Sequence, residues 1–223
     1  TPAAAQLRTL ARTLLMENQD RQDALPTDIE SGLGLAINTW PGELTTYWVA
    51  EVDRRWRSNR EQWAGLSREE SSELQRLLSN EEFSRATVPA VARQAFFLFA
   101  ADEAFAKAHV IPLFREESTR SGAWRAFLYG ARVNDRMLQE GMFAAIQEMF
   151  DQLSRLGDEA LVDRFCSLAA SVVAYSGTPP ENKRALLFAS VIAEDGAHAV
   201  RFATEAVRLV EDDPTTGPAA WDG

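Results

Sequence analysis

The sequence predicts an all-α protein on three observations. Apolar residues recur at three- and four-residue spacing in run after run. No segment shows sustained two-residue alternation bounded by hairpin turns, and Gly and Pro fall between helical runs rather than within them. Roughly ten helices joined by short loops are expected, arranged as an irregular α-solenoid of helical hairpins or as a compact multi-helix bundle; no fixed period identifies a named repeat.

Taken in order, Leu7, Leu10, Leu14 and Leu15 form an apolar stripe in a helix expected over 3–18, followed by a polar linker, ENQDRQDALP. Thr27 and Glu30 have the spacing of a capping box, which starts a short helix that Trp40-Pro41-Gly42 is expected to end. The next helix, 42–58, places Leu44, Trp48, Val52 and Trp56 on one slowly drifting face. Ser67 and Glu70 repeat the capping-box signal for a helix through Leu78, after which Ser79-Asn80 and Pro89 lead into the most apolar stretch, Ala95–Trp124. Helices on both sides are expected to pack against that stretch. Within it Asp102 reads as a cap between two helices, and Pro112 forces a kink or a stop.

Trp124, Phe127 and Leu128 share a face in AWRAFLYG, where Gly130 is expected to close the helix in a left-handed conformation. From Asn134 to Leu156 the pattern is the cleanest in the chain: Leu138, Met142, Ile146, Met149, Phe150 and Leu153 form one stripe before Gly157. A further helix carries Leu161, Phe165, Leu168, Val172 and Tyr175 as far as Gly177, and a last pair covers 181–195 and 197–211. The predicted core comprises Trp48, Phe105, Phe114, Trp124, Phe127, Phe150 and Phe165.

A length of 223 residues suits a single helical domain over 1–223, with candidate sub-units 1–88 and 89–212 and a tail at 213–223. A start at Thr1 with no charged-then-apolar leader reads as a piece of a larger chain without a secretory signal. The central stretch is as long as a membrane span, yet Asp102, Glu103 and Lys107 would each cost about 2.5–3.5 kcal/mol at a bilayer centre, so it reads as protein core with no membrane partner.

Net charge of −10 argues against a general nucleic-acid or anionic-membrane surface, because phosphate is bound chiefly by Lys and Arg. One local exception is a candidate interaction patch, Arg54, Arg55, Arg57 and Arg60 beside Trp56 and Trp63, since a basic-aromatic cluster can grip phosphates and bases. A solvated helix face with the tryptophans turned inward is the competing reading. The single cysteine, Cys166, excludes an internal disulfide and fits a reducing, cytoplasmic setting. It lies on an apolar helix with no adjacent His and reads as core rather than nucleophile.

Only two histidines are present. His198 follows Glu194 and Asp195 at same-face spacing, but no Glu-x-x-His motif of a di-iron bundle occurs, and Gly196 is expected to interrupt the helix. His109, at an apolar helix end before Pro112, reads as a partly buried imidazole bonded to backbone. Phosphate-loop and nucleophile-elbow motifs are absent, and GLGLA at Gly32 leads from a polar loop rather than a strand. Glu140, Glu148 and Asp151 read as solvated charges rather than a catalytic pair. No catalytic residue, cofactor or metal is expected.

Four places carry a family resemblance: WPGELTTYW at Trp40–Trp48, WAGL at Trp63–Leu66, VIPLF at Val110–Phe114 and AWRAFLYG at Ala123–Gly130. Together they resemble a bacterial helical domain of unknown function, over about 32–221. That family is found C-terminally in multidomain proteins with sirtuin-like NAD-cleaving domains or P-loop NTPases, several of them linked to defence against phage. The resemblance implies a non-enzymatic scaffold or sensor module, with activity residing outside these residues and with a protein partner or other domains of the parent chain as its contacts. Two other functions stand beside it: a small-ligand site among the central aromatics and His109, favoured by a closed apolar cavity near Phe105 and Phe114, and a nucleic-acid contact through Arg54–Arg60.

Overall fold

The computed structural model describes residues 2–18, 32–192 and 196–212, all-helical, with no strand among them. The Thr27–Glu30 capping box, the Glu194–Asp195 pair and the 213–223 tail lie outside the described residues.

The chain divides into two compact units, Thr1–Leu113 and Phe114–Gly223. The sequence placed its candidate division at 88/89 instead. Pro89 cannot mark a boundary because it lies inside a helix, Ser84–Ala92, that packs on three other helices of the first unit. Nor is Ala95–Trp124 one continuous core, since the division falls within it.

In the first unit, α1 (Pro2–Asn18) precedes α2 (Gly32–Asn38), α3 (Trp40–Ser58), α4 (Arg68–Ser79), α5 (Ser84–Ala92), α6 (Ala95–Ala101) and α7 (Glu103–Phe105). Instead of ending a helix, Trp40-Pro41-Gly42 begins one. Proline is tolerated in a first turn, whose N–H groups have no partner anyway, and Thr39 takes the N-cap position. Gly42 is needed because α2 passes so closely that a Cβ there would meet the Ala36 backbone. Leu44, Trp48 and Val52 are buried, whereas Trp56 is half-buried against Phe97, ring centroids 5.2 Å apart. The Ser67–Glu70 capping box forms: Ser67 Oγ accepts from Glu70 N at 3.2 Å and Glu70 Oε2 accepts from Ser67 N at 2.7 Å. At Pro112 the helix leaves α geometry, as expected, and it ends at Phe114 before a turn. It widens into a π turn at Ala106–Val110 and tightens into a 3₁₀ turn at Ile111–Phe114, which absorbs the missing donor.

Helix α1 departs from its expected orientation. Of the predicted stripe only Leu15 is buried, together with Ala11, while Leu7, Leu10 and Leu14 are exposed. Arginines dock the helix: Arg8 pairs with Glu51 at 3.5 Å, and Arg12 with Glu69 at 3.2 Å and with the buried Glu73 at 3.4 Å.

The second unit holds α8 (Arg120–Phe127), α9 (Asp135–Met137), α10 (Phe143–Met149), α11 (Glu159–Tyr175), α12 (Pro180–Ile192) and α13 (Gly196–Asp212). Gly130 does not adopt the left-handed conformation expected of it; Gly157 does, with φ 66°. The uninterrupted helix expected over 134–156 is broken into α9, a π turn at Leu138–Met142, α10 and a 3₁₀ turn at Phe150–Leu156. Gly141, at φ 123°, supplies the break with a conformation that a side chain would oppose. The six-residue stripe is buried despite the break. Helix α11 packs on α13, and α12 touches α10, α11 and α13. Tyr175 leaves its expected stripe: it is exposed, and its hydroxyl donates to the Leu209 carbonyl at 3.2 Å.

All seven predicted core residues are buried, Trp48 and Phe105 in the first unit and the rest in the second. In the second they form an edge-to-face chain: Phe114–Trp124 at 5.1 Å, Trp124–Phe165 at 5.4 Å, Phe165–Phe150 at 5.1 Å and Phe150–Phe202 at 5.6 Å. Trp124 Nε1–H donates to the Phe114 carbonyl at 3.2 Å, which satisfies its one polar atom. Replacing Trp124 by Ala is expected to lower stability by about 3–5 kcal/mol through lost burial and the cavity left behind. Urea unfolding measures this, and an unchanged midpoint contradicts the placement of Trp124 in the core.

Candidate functional site

Three of the four arginines of the candidate patch are matched by carboxylates. Arg54 holds Glu51 through two bonds of 2.7 and 3.0 Å, and the hydrogen bond lowers the Glu51 pKa while raising that of Arg54. Arg57 donates from Nε to Asp53 Oδ1 at 2.9 Å and approaches Oδ2 at 2.8 Å. These pairs span three and four residues of one helix, a spacing the sequence displays, so Glu51 and Asp53 were open to recognition beside the arginines. Arg60 lies over the Trp56 ring, 5.4 Å from its centroid.

Arg55 points inward to a polar node. Its Nη2 donates to Glu70 Oε2 at 2.6 Å and to the Gly65 carbonyl at 2.8 Å, with its guanidinium carbon 4.6 Å from the Trp63 ring centroid. Trp63 Nε1–H donates to the Ala101 carbonyl at 2.6 Å. Asp102 caps α7 by accepting from Phe105 N at 2.9 Å, as its position predicts, and also accepts from Leu66 N at 3.0 Å. The node therefore joins α3 and the start of α4 to the α6–α7 junction. The four arginines do not form one accessible cationic surface.

The remaining chemistry-bearing residues are also accounted for locally. His109 meets the Gln75 side-chain amide at 2.7 Å and lies tilted against the Phe105 ring, centroids 5.0 Å apart, so its partner is a side chain rather than the expected backbone. Cys166 is buried, and desolvation, followed by the nearby Asp163 charge, pushes its pKa up to about 11. Glu140 pairs with Arg136 at 2.9 Å and Glu148 with Arg115 at 2.6 Å, whereas Asp151 is exposed. No group of three or more potential metal ligands occurs among the described residues. No helix among them is long and apolar enough to cross a membrane.

Two cavities stand out. One, of about 440 Å³, lies in the first unit among α2, α3, α5 and α6, floored by Leu33, Ile37, Val49 and Phe97 with Arg57 and Arg93 at its polar side. The other, of about 620 Å³, is an open groove between α10 and α12 in the second unit. Neither is lined by Phe105, His109 or Phe114, around which the small-ligand reading was built. Large apolar side chains left in solvent include Leu7, Leu10, Leu14 and Met16 of α1 and Phe188 and Val191 of α12, beside Ile37 of α2 and Val200 and Val207 of α13.

Comparison with protein-family models, curated proteins and solved structures finds no match for this chain.

Arg55→Ala is expected to destabilise the protein by about 1.5–3 kcal/mol, because Glu70 loses a charge-assisted partner in a largely buried place. Arg54→Ala should cost less, about 1 kcal/mol or below, because its guanidinium is exposed and Glu51 keeps Arg8 as a partner. Thermal unfolding of the two variants separates these roles, and equal losses would refute the inward role of Arg55. The raised Cys166 pKa means that the buried neutral thiol contributes stability below the ordinary thiol range, a contribution lost as pH rises toward about 11. At mildly alkaline pH a thiol reagent should leave the native protein unmodified and label it once after unfolding; fast labelling of the folded chain contradicts this burial.

Proposed function

We propose that this chain is a non-enzymatic helical scaffold or sensor module that makes protein–protein contacts within a larger cytoplasmic bacterial protein of the anti-phage defence type suggested by the four sequence stretches. The observation that carries this reading is the orientation of α1. An amphipathic helix ordinarily turns its leucines to its own core. Here Leu7, Leu10 and Leu14 are 54%, 54% and 44% exposed, while Arg8 and Arg12 bind the helix to Glu51, Glu69 and Glu73. The leucines at these positions are spaced three and four residues apart, the spacing with which a helix presents anchors to a partner.

Carboxylate pairing of Arg54, Arg55 and Arg57 weighs against the nucleic-acid alternative, because neutralised arginines release few phosphate counterions. Leu7→Glu, Leu10→Glu and Leu14→Glu combined should keep the native circular dichroism, since glutamate is a good helix former and the sites are exposed. Immobilised wild-type chain is expected to retain from source-cell extract a protein that the triple variant releases, measured by quantitative mass spectrometry. Identical retained sets for both would refute the reading.

A further inference from the structure

Rows of side chains spaced by three and four residues form both walls of the groove in the second unit. Ala144 comes from α10, and Asp151 from the 3₁₀ turn that follows it; Glu181, Ala185, Phe188 and Ala189 come from α12. The three alanines make a low floor that admits a large apolar side chain from outside. Phe188 stands beside it 71% exposed, with Val191 one turn further along α12 at 68%. A phenylalanine that exposed loses most of the gain of burial, on the order of 1.5–3 kcal/mol, unless something covers it.

Charge narrows what could cover it. Three carboxylates line the groove, Glu148, Asp151 and Glu181, against one guanidinium, Arg184. Glu148 is taken by Arg115 at 2.6 Å, while Asp151 and Glu181 have no ion-pair partner among the described residues. We infer that this groove docks a basic amphipathic helix of a partner protein, which places an apolar residue on the alanine floor against Phe188 and Lys or Arg side chains against Asp151 and Glu181. An acidic chain of net charge −10 favours such a partner over an acidic one.

The inference rests on the chain being a protein-contact module, but its site is separate from α1. The probe is a fluorescent synthetic peptide of Leu and Lys patterned as an amphipathic helix, titrated by anisotropy at about 0.15 M salt so that long-range attraction is screened. Phe188→Ser alone, and Asp151→Lys with Glu181→Lys, should each weaken binding by about tenfold or more, the effect of losing a central anchor or the matching charges. The charge-matched control, Glu81→Lys with Glu82→Lys in the first unit, and the α1 triple variant should bind as the wild type does. All these substitutions are at exposed positions, and circular dichroism checks the fold. No binding, equal weakening by the groove and control pairs, or release of the peptide by the α1 variant would overturn the groove. Only the α1 retention experiment bears on the scaffold reading itself.

Discussion

Helices satisfy their own backbone hydrogen bonds, so no ladder joins one element of this chain to the next. Every tertiary tie must be made by side chains and by the free groups at helix ends. The two units meet that constraint in different ways. In residues 1–113 much of the tie is polar, centred on Arg55, Glu70, Trp63 and Asp102. Each of these groups does two jobs: Glu70 closes a capping box and receives Arg55, and Asp102 caps α7 and holds the Leu66 amide. Because the bonds run between loops and helix ends, the register of α3, α4 and α6 is set by a few directional contacts rather than by apolar area alone.

In residues 114–223 the tie is aromatic. Edge-to-face contacts run from Phe114 through Trp124, Phe165 and Phe150 to Phe202, linking α8, the turn after α10, α11 and α13. Ring pairs of this kind add about 0.5–1.5 kcal/mol beyond the area they bury and favour particular angles, which gives direction to a core that would otherwise be set by volume. The break at Gly141 belongs to the same arrangement. A straight helix would carry its stripe steadily around the axis, whereas the widened turn lets Leu138 and Met142 on one side and Ile146 and Phe150 on the other all reach the interior.

The surface follows from what these ties leave over. In α1 and α3 carboxylates and guanidiniums meet at close range, so the arginine-rich stretch, conspicuous in the sequence, is spent on internal and same-helix pairs. The leucines of α1, whose stripe points to a core, and Phe188 of α12 are among the apolar side chains left uncovered.

Much of the local structure was legible in the residues. Helical periodicity, the Ser67–Glu70 box and the Asp102 cap depend on groups a few residues apart, whose chemistry is complete within the local sequence. Long aromatic side chains on apolar faces, Trp124 and Phe165 among them, gain so much from burial that their place in a core followed as well. What the sequence could not decide was which face of an amphipathic helix turns inward when two kinds of contact compete. In α1 the arginines prevailed over Leu7, Leu10 and Leu14 because Glu51, Glu69 and Glu73, about 40 to 60 residues distant, present carboxylates to them. The division at Leu113 and the inclusion of Pro89 in a helix packed on α2, α3 and α4 likewise appear only in the tertiary structure. Local pattern determines what a segment can form; only the tertiary structure decides which of its faces finds a partner.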